Sequence, residues 1–295
     1  MIISKKFGDR ADQECFPLKD DMAQQRNIRL IMEYEGGGYH GWQKQPQATT
    51  VQEILEERIE RLTQRASRAI AAGRTDAGVH ALQQVVHFHT SSVLPVGTLQ
   101  RGLNALLPPD IRVLRAEEVS WEFHARYSAV GKRYEYQIWN APIPSAFLHR
   151  YAWWIPMSLD VKAMEAACRH VAGRQDFSSF RSANCDGKQP VREVRGCGWK
   201  REGPLLTFWV EADGFLKYMV RTLVGTLVDV GMARRAPEEL EEILKARDRT
   251  RAGRTAPARG LFLVSVSYPS PWSIGGEELS WAPHGSLRGR RVAAS

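Results

Sequence analysis

The sequence predicts an α+β protein made of two similar mixed halves, and three features carry that prediction. From Asn27 a strand-like alternation gives way to an amphipathic helix, and from Tyr151 strands and helices follow in the same grammar. Adjacent strand-like runs, such as 193–201 and 205–213, read as antiparallel hairpins. At 295 residues the chain is long enough for about two domains. No residue-level repeat accompanies the repeated pattern. The expected organisation is an arm over 1–26, one half over 27–145, a second over 146–269, and a basic tail over 270–295.

Composition narrows the class. Hydrophobic residues make up 43% and charged residues 25%, as in an ordinary soluble globular protein. The 41 Lys and Arg exceed the 33 Asp and Glu, a formal net charge of +8 that points toward a polyanionic partner, nucleic acid first. Cys15, Cys168, Cys185 and Cys197 form no C-x-x-C pair, so neither a zinc framework nor a disulfide scaffold is suggested and a reducing cytosol fits. No run has signal-peptide character or membrane-spanning length, so a soluble cytoplasmic protein with no membrane partner is expected.

In order, Ile28, Leu30, Met32 and Tyr34 alternate with Arg29, Ile31 and Glu33 and read as a strand. A glycine-rich loop with aromatic groups, Glu35 to Gln43, follows. The capping box Thr50-x-x-Glu53 opens a helix with Val51, Ile54, Leu55, Ile59 and Leu62 on one face. A strand is expected around 83–90, a helix from Thr98 to Leu106 stopped by Pro108-Pro109, and strands near 111–119 and 132–139. The second half reads as a strand at 151–155, a helix from Leu159 to Val171 ended by Gly173, and a polar loop over 178–190. Strands near 193–201 and 205–213 then lead to a helix from about Phe215 to Val230, ended by Gly231. A helix over Glu238 to Ala246 and a strand from Leu261 to Tyr268 complete the series.

The stretch Ala72 to Ala81 holds a lone carboxylate between glycines, Gly73-Arg74-Thr75-Asp76-Ala77-Gly78. Asp76 could cap its own turn, belong to a phosphate loop, or act chemically with Arg74 beside it. The phosphate-loop reading fails, because Val79 and His80 stand where such a loop needs Lys and Ser or Thr. His80, His87 and His89 invite a metal reading, but no Cys or carboxylate completes a ligand set, so no metal is expected. The clustered acids of a metal-dependent nuclease and the glycine-framed serine of a hydrolase are both missing. What remains is one loop carboxylate, which can serve as a nucleophile where water is excluded and a cation keeps it ionised.

Tyr134, in the strand Lys132-Arg133-Tyr134-Glu135-Tyr136, is either a core aromatic or a ring that stacks on a nucleobase while Lys132 and Arg133 meet phosphates. Arg221 sits among Val220, Leu223 and Val224 in an apolar helix. An unpaired guanidinium there is costly, so it either meets an anion or shares a solvated face with Lys217, one turn earlier. The basic run Lys245 to Arg254 suits a phosphate backbone or simple solvation.

Taken jointly, the blocks resemble one family. Ala72-Gly73-Arg74-Thr75-Asp76-Ala77-Gly78-Val79-His80-Ala81 is similar to the active-site motif of the tRNA pseudouridine synthase A family. Four further blocks agree in order: Tyr34-Glu35-Gly36 with Tyr39-His40-Gly41-Trp42-Gln43, Lys132 to Tyr136, Gly214-Phe215-Leu216 through Met219-Val220-Arg221 to Gly225, and Thr255-Ala256-Pro257 through Gly260-Leu261. The resemblance covers about residues 27–268, with Arg259 before Gly260-Leu261 as one departure. It implies two halves sharing one extended, mainly antiparallel sheet around a basic cleft. It also implies isomerisation of uridine to pseudouridine at nucleotides 38, 39 and 40 of the tRNA anticodon stem-loop, by a homodimer needing no cofactor.

On this resemblance Asp76 is the nucleophile, toward the ribose or the uracil ring. Arg74 displaces the nucleotide and holds its phosphate. Tyr134 stacks on the uracil and is a candidate to take the C5 proton, and Arg221 pairs with Asp76. Lys132, Arg133, His80 and Leu261 join Arg74 and Tyr134 as expected substrate contacts. A non-catalytic RNA-binding or tRNA-chaperone protein on the same scaffold is the alternative; it would need neither Asp76 nor a buried Arg221.

Overall fold

Alternation sends Ile28, Leu30, Met32 and Tyr34 of strand β1 (Arg26–Tyr34) to one face, where all four are buried. The computed structural model describes residues 25–182 and 189–274. Most of the expected arm with Cys15, the Cys185 portion of the polar loop, and the tail beyond 274 lie outside the described residues.

The remaining strands are β2 (Ile70–Ala71), β3 (His80–Thr90), β4 (Ile111–Val119), β5 (Gly131–Asn140), β6 (Trp153–Ile155), β7 (Gly173–Asp176), β8 (Val191–Glu202), β9 (Leu205–Ala212) and β10 (Leu261–Ser267). They form one extended sheet in the order β4-β1-β3-β10-β5-β9-β8-β7, with β2 on β3 and β6 on β5. Pairing is antiparallel except for β10 with β3 and β5 with β6. The α+β class and the shared, mainly antiparallel sheet are thus as expected. The last strand does the joining: β10 lies between β3 and β5, placing Leu263 beside Ala81 on one side and Tyr134 on the other.

Five helices are described: α1 (Val51–Thr63), α2 (Val96–Leu106), α3 (Val161–Cys168), α4 (Met219–Gly231) and α5 (Glu239–Ala246). The Thr50 hydroxyl caps α1 by accepting from the Glu53 amide, one limb of the expected capping box. Leu55 and Ile59 of α1, Leu99 and Leu103 of α2, and Leu223 and Leu227 of α4 join Ile28, Leu30, Tyr136 and Phe208 of the sheet in one apolar cluster. Burying each such side chain contributes roughly 2 kcal/mol. A smaller cluster on the opposite face, Leu82, Phe262 and Val264, packs against Tyr151.

Several expectations are corrected. The long helix starts at Met219 rather than Phe215, because Tyr218 before it has a left-handed backbone at φ 67° that no helix can pass through. The helix expected over Leu159 to Val171 is shorter, Val161–Cys168. Gly173 opens an edge strand whose polar Gly-Arg-Gln-Asp sequence carries no apolar alternation. The segment read as a polar loop carries buried Ser179 and Phe180, the Ser179 hydroxyl donating to the Ile243 carbonyl at 2.6 Å.

Candidate active site

The Asp76 loop runs between β2 and β3 and is tied at almost every residue. The Ala72 amide donates to the Val85 carbonyl at 2.7 Å, the Trp42 amide to the Thr75 carbonyl at 3.1 Å, and the Gly78 amide to the Tyr39 carbonyl at 3.2 Å. Two glycines make this possible. Gly78 is left-handed, at φ 77°, and a Cβ on Gly41 would stand 2.5 Å from the Thr75 carbonyl oxygen. The glycine-rich segment before α1 is therefore a cradle for the loop.

A buried polar brace lies behind it. The Tyr34 and Thr75 hydroxyls are 2.8 Å apart, and the Gln84 side-chain amide donates to the Tyr34 hydroxyl at 3.2 Å and the Gly73 carbonyl at 2.8 Å. Burial pushes the Tyr34 phenol up to about 12 against those two hydrogen bonds, so it stays neutral and fixed. Tyr34 was read as a strand residue and part of a family block without a role behind the loop, and Gln84 carried no signal, because a register shift between Met32 and Tyr34 sets its orientation.

Arg221 reaches this loop from the first turn of α4. One guanidinium nitrogen donates to the Asp76 carboxylate at 3.3 Å, and its Nε donates to the Ala256 carbonyl at 2.8 Å. The Ala256 amide returns a bond to the Arg221 carbonyl at 3.0 Å, fastening the Thr255-Ala256-Pro257 segment to the helix. The Asp76 and Arg221 side chains are 21% and 15% exposed, so the pair is sheltered but open to a ligand. Burial raises the Asp76 carboxyl above its ordinary value, and the charge of Arg221, its hydrogen bond, and the charge of Lys217 act against that rise.

Tyr134 forms the aromatic wall. Its ring meets Phe215 edge-on with centroids 5.0 Å apart. Burial, and then the neighbouring Tyr34 and Asp76, hold its hydroxyl well above the usual phenol range. Lys132 lies on the same face, its side chain against Gly73. Burial, with Arg126 and Arg192 nearby and Asp213 opposing, pushes its ammonium down to about 8. Arg74 is exposed and makes no ion pair among the described residues.

Of the other expected substrate contacts, two are engaged within the protein and the third, Leu261, packs in the apolar cluster that also holds Tyr134. Arg133, one residue from Lys132, points to the opposite face by strand alternation, where it packs over Trp209 at 5.0 Å and meets Glu135 at 3.4 Å. His80 is buried: its Nδ1 accepts from the Gly36 amide and its Nε2 meets the Arg259 carbonyl, each at 3.1 Å, while its ring stacks on Phe262. Burial lowers its pKa, and the bonding fits a neutral ring that pins two loops. Leu261 is buried at the start of β10, opposite Tyr136. The basic run is partly consumed internally, with Lys245 on Glu241, Arg247 on Asp176 and Arg254 over Trp153. Sequence reasoning also missed the part played by Lys217 and Tyr218, which flank the pair. Among the described residues no group of three or more His, Cys, Asp and Glu is placed to hold a metal, and no helix is long and apolar enough to cross a membrane.

A sheltered carboxylate, an arginine from a distant helix and an aromatic wall, on one extended sheet, are the parts of the class expected from the sequence. The chain belongs to the tRNA pseudouridine synthase family, whose sequence profile matches residues 30–128 and 167–269. Among curated relatives, tRNA pseudouridine synthase A of Acetivibrio thermocellus is 46% identical over 82% of this chain and all of its own length. The protein of that name from Caldicellulosiruptor bescii is 44% identical, again over 82% of this chain and 100% of its own. That of Francisella tularensis subsp. holarctica is 39% identical over 83% of this chain and 95% of its own.

Proposed function

We propose that this chain isomerises uridine to pseudouridine in tRNA, at nucleotides 38, 39 and 40 of the anticodon stem-loop, with Asp76 as nucleophile. The observation that carries the reading is the Asp76–Arg221 pair, held at 3.3 Å beside Tyr134 while still partly open. The bond from ribose C1′ to N1 breaks, the uracil turns, and a bond from C1′ to C5 forms. C5 loses its proton and N1 gains one. Asp76 donates a carboxylate electron pair to the ribose or to the uracil ring, and the bond so formed breaks again as the C1′–C5 product is made, regenerating the carboxylate. Arg221 keeps the carboxylate ionised against the pull of burial. The chemistry uses neither metal nor cofactor.

Getting the nucleotide into the cleft costs a few kcal/mol of unstacking, which phosphate contacts and stacking offset. Exposed Arg74 and the Lys132 side chain against neighbouring Gly73 suit those phosphates. Tyr134 suits the stacking role. Its hydroxyl holds its proton too firmly in the empty cleft to be a ready base, so removal of the C5 proton by Tyr134 requires the bound state to lower its pKa. Residues 27–145 supply the nucleophile loop and 146–269 supply Arg221, and the enzyme acts as a cytoplasmic homodimer. Carbodiimide-based mapping of pseudouridine in an anticodon stem-loop after incubation tests the reading. Product at those nucleotides is expected; tight binding without product would instead make the chain an RNA-binding protein.

A further inference from the structure

Tyr218 breaks two local rules at once. It stands at the N-cap of α4 with φ 67° and ψ 0°, a left-handed conformation that glycine and asparagine adopt far more readily than an aromatic residue. Its side chain makes no capping hydrogen bond, although this position favours Asn, Asp or Ser, and its carbonyl accepts the first helical bond, from the Thr222 amide. Asparagine would suit this backbone better, so local conformation does not explain the tyrosine. Such violations concentrate where a side chain serves a site.

The ring shows what it serves. The Arg221 guanidinium carbon lies 4.9 Å from its centroid, and the Lys217 ammonium 5.5 Å. Both distances are within cation–π range, and Arg221 is the residue that pairs with Asp76. The left-handed residue stands between Lys217 and the helix, and its ring has both cations within reach. The other titratable group beside Asp76 is Tyr134 from β5, which is no cation, and exposed Arg74 on its own loop makes no ion pair among the described residues.

We propose that Tyr218 is a positioning residue whose ring holds Arg221 and Lys217 on the Asp76 side of the cleft, at a cost in local stability. The inference deepens the isomerase reading, but its geometry can be tested without turnover. A carboxyl-carbon NMR titration of Asp76 reads the cations directly, in the full chain without RNA. Losing their positioning weakens the pull toward the ionised form, so the Asp76 midpoint rises.

Three proteins separate ring from backbone. Tyr218→Asn keeps the left-handed turn at a lower backbone cost, so it should melt no lower than the parent while its Asp76 midpoint moves up. Tyr218→Phe keeps the ring and should keep the parent's midpoint. On an anticodon stem-loop, Tyr218→Asn should lose about tenfold in single-turnover rate, with the acid limb moved to higher pH and affinity unchanged, and Tyr218→Phe should restore both. An unmoved Asp76 midpoint in Tyr218→Asn overturns the proposal. So does a loss confined to RNA affinity, which would make the ring an RNA contact. If the parent makes no pseudouridine, the isomerase reading fails while the titration still decides the role of Tyr218.

Discussion

Two sheltered arginine–carboxylate pairs among the described residues, Arg29–Glu117 and Arg221–Asp76, are built in opposite ways. Arg29 and Glu117 face each other across β1 and β4. The Arg29 Nε donates to the carboxylate at 2.8 Å, a second nitrogen bonds the same oxygen, and a third donates to the Trp272 carbonyl at 2.7 Å. Arg115 takes the remaining carboxylate oxygen, and the Phe123 ring lies 5.3 Å from the guanidinium. Arg221 and Asp76 make a single contact at 3.3 Å, with the carboxylate 21% exposed. The first pair is saturated, and its strength goes into holding β4 on the sheet. The second is left half made, with lone pairs facing the cleft and a net push toward protonation. A carboxylate that attacks must keep an unshared electron pair, so incompleteness is what the proposed role of Asp76 requires.

The largest expected effect is on chemistry. Asp76→Asn should lower single-turnover pseudouridine formation by at least about a thousandfold while RNA binding persists, as rate and filter-binding measurements would show. Its stability should change little. The Asp76 carboxyl is raised in the folded state, so the stability owed to its protonated form is present below the ordinary carboxylate range and lost as pH rises through the raised value. At neutral pH the ionised group therefore costs stability, a gain on removal that the lost partner of Arg221 offsets, so Asp76→Asn should melt close to the parent. A large drop in Tm would mean that the site was built for stability after all.

The closed pair should reverse that pattern. Arg29→Gln leaves Glu117 with Arg115 alone and should cost about 3 kcal/mol in chemical denaturation, with catalysis at permissive temperature retained. Smaller still is the effect of Arg74→Gln, which should weaken RNA binding and reduce the slope of log affinity against log salt by about one. Tyr34→Phe, which removes the hydroxyl from the brace behind Thr75, should cost about 1 kcal/mol of stability and only a modest part of the rate.

How much of this was legible depended on the range of the interaction. Alternation in β1 and the capping of α1 are local, and the sequence displays them directly. Arg221 was conspicuous because a guanidinium among Val220, Leu223 and Val224 needs an anion, but the residues alone left that anion open. The resemblance pointed to Asp76, and the structure brings the two together across 145 residues. What stayed hidden was orientation. Arg133 turns from the cleft by one step of strand alternation, Gln84 faces the loop through a register shift, and Tyr218 halts α4 through a backbone angle its sequence does not advertise. The place of β10 between β3 and β5 rests on contacts far apart in the chain, one of them a parallel pairing that no hairpin signal could announce.

The central claim is that the open pair is the working one, with Arg221 holding Asp76 ionised. Its most direct test is the pH dependence of single-turnover pseudouridine formation in the parent and in Arg221→Gln. Removing the opposing cation lets burial raise the Asp76 carboxyl further, so the acid limb should move to higher pH, and the plateau rate should fall by about a hundredfold. An acid limb that stays in place, with the rate at its parental plateau, would contradict the account.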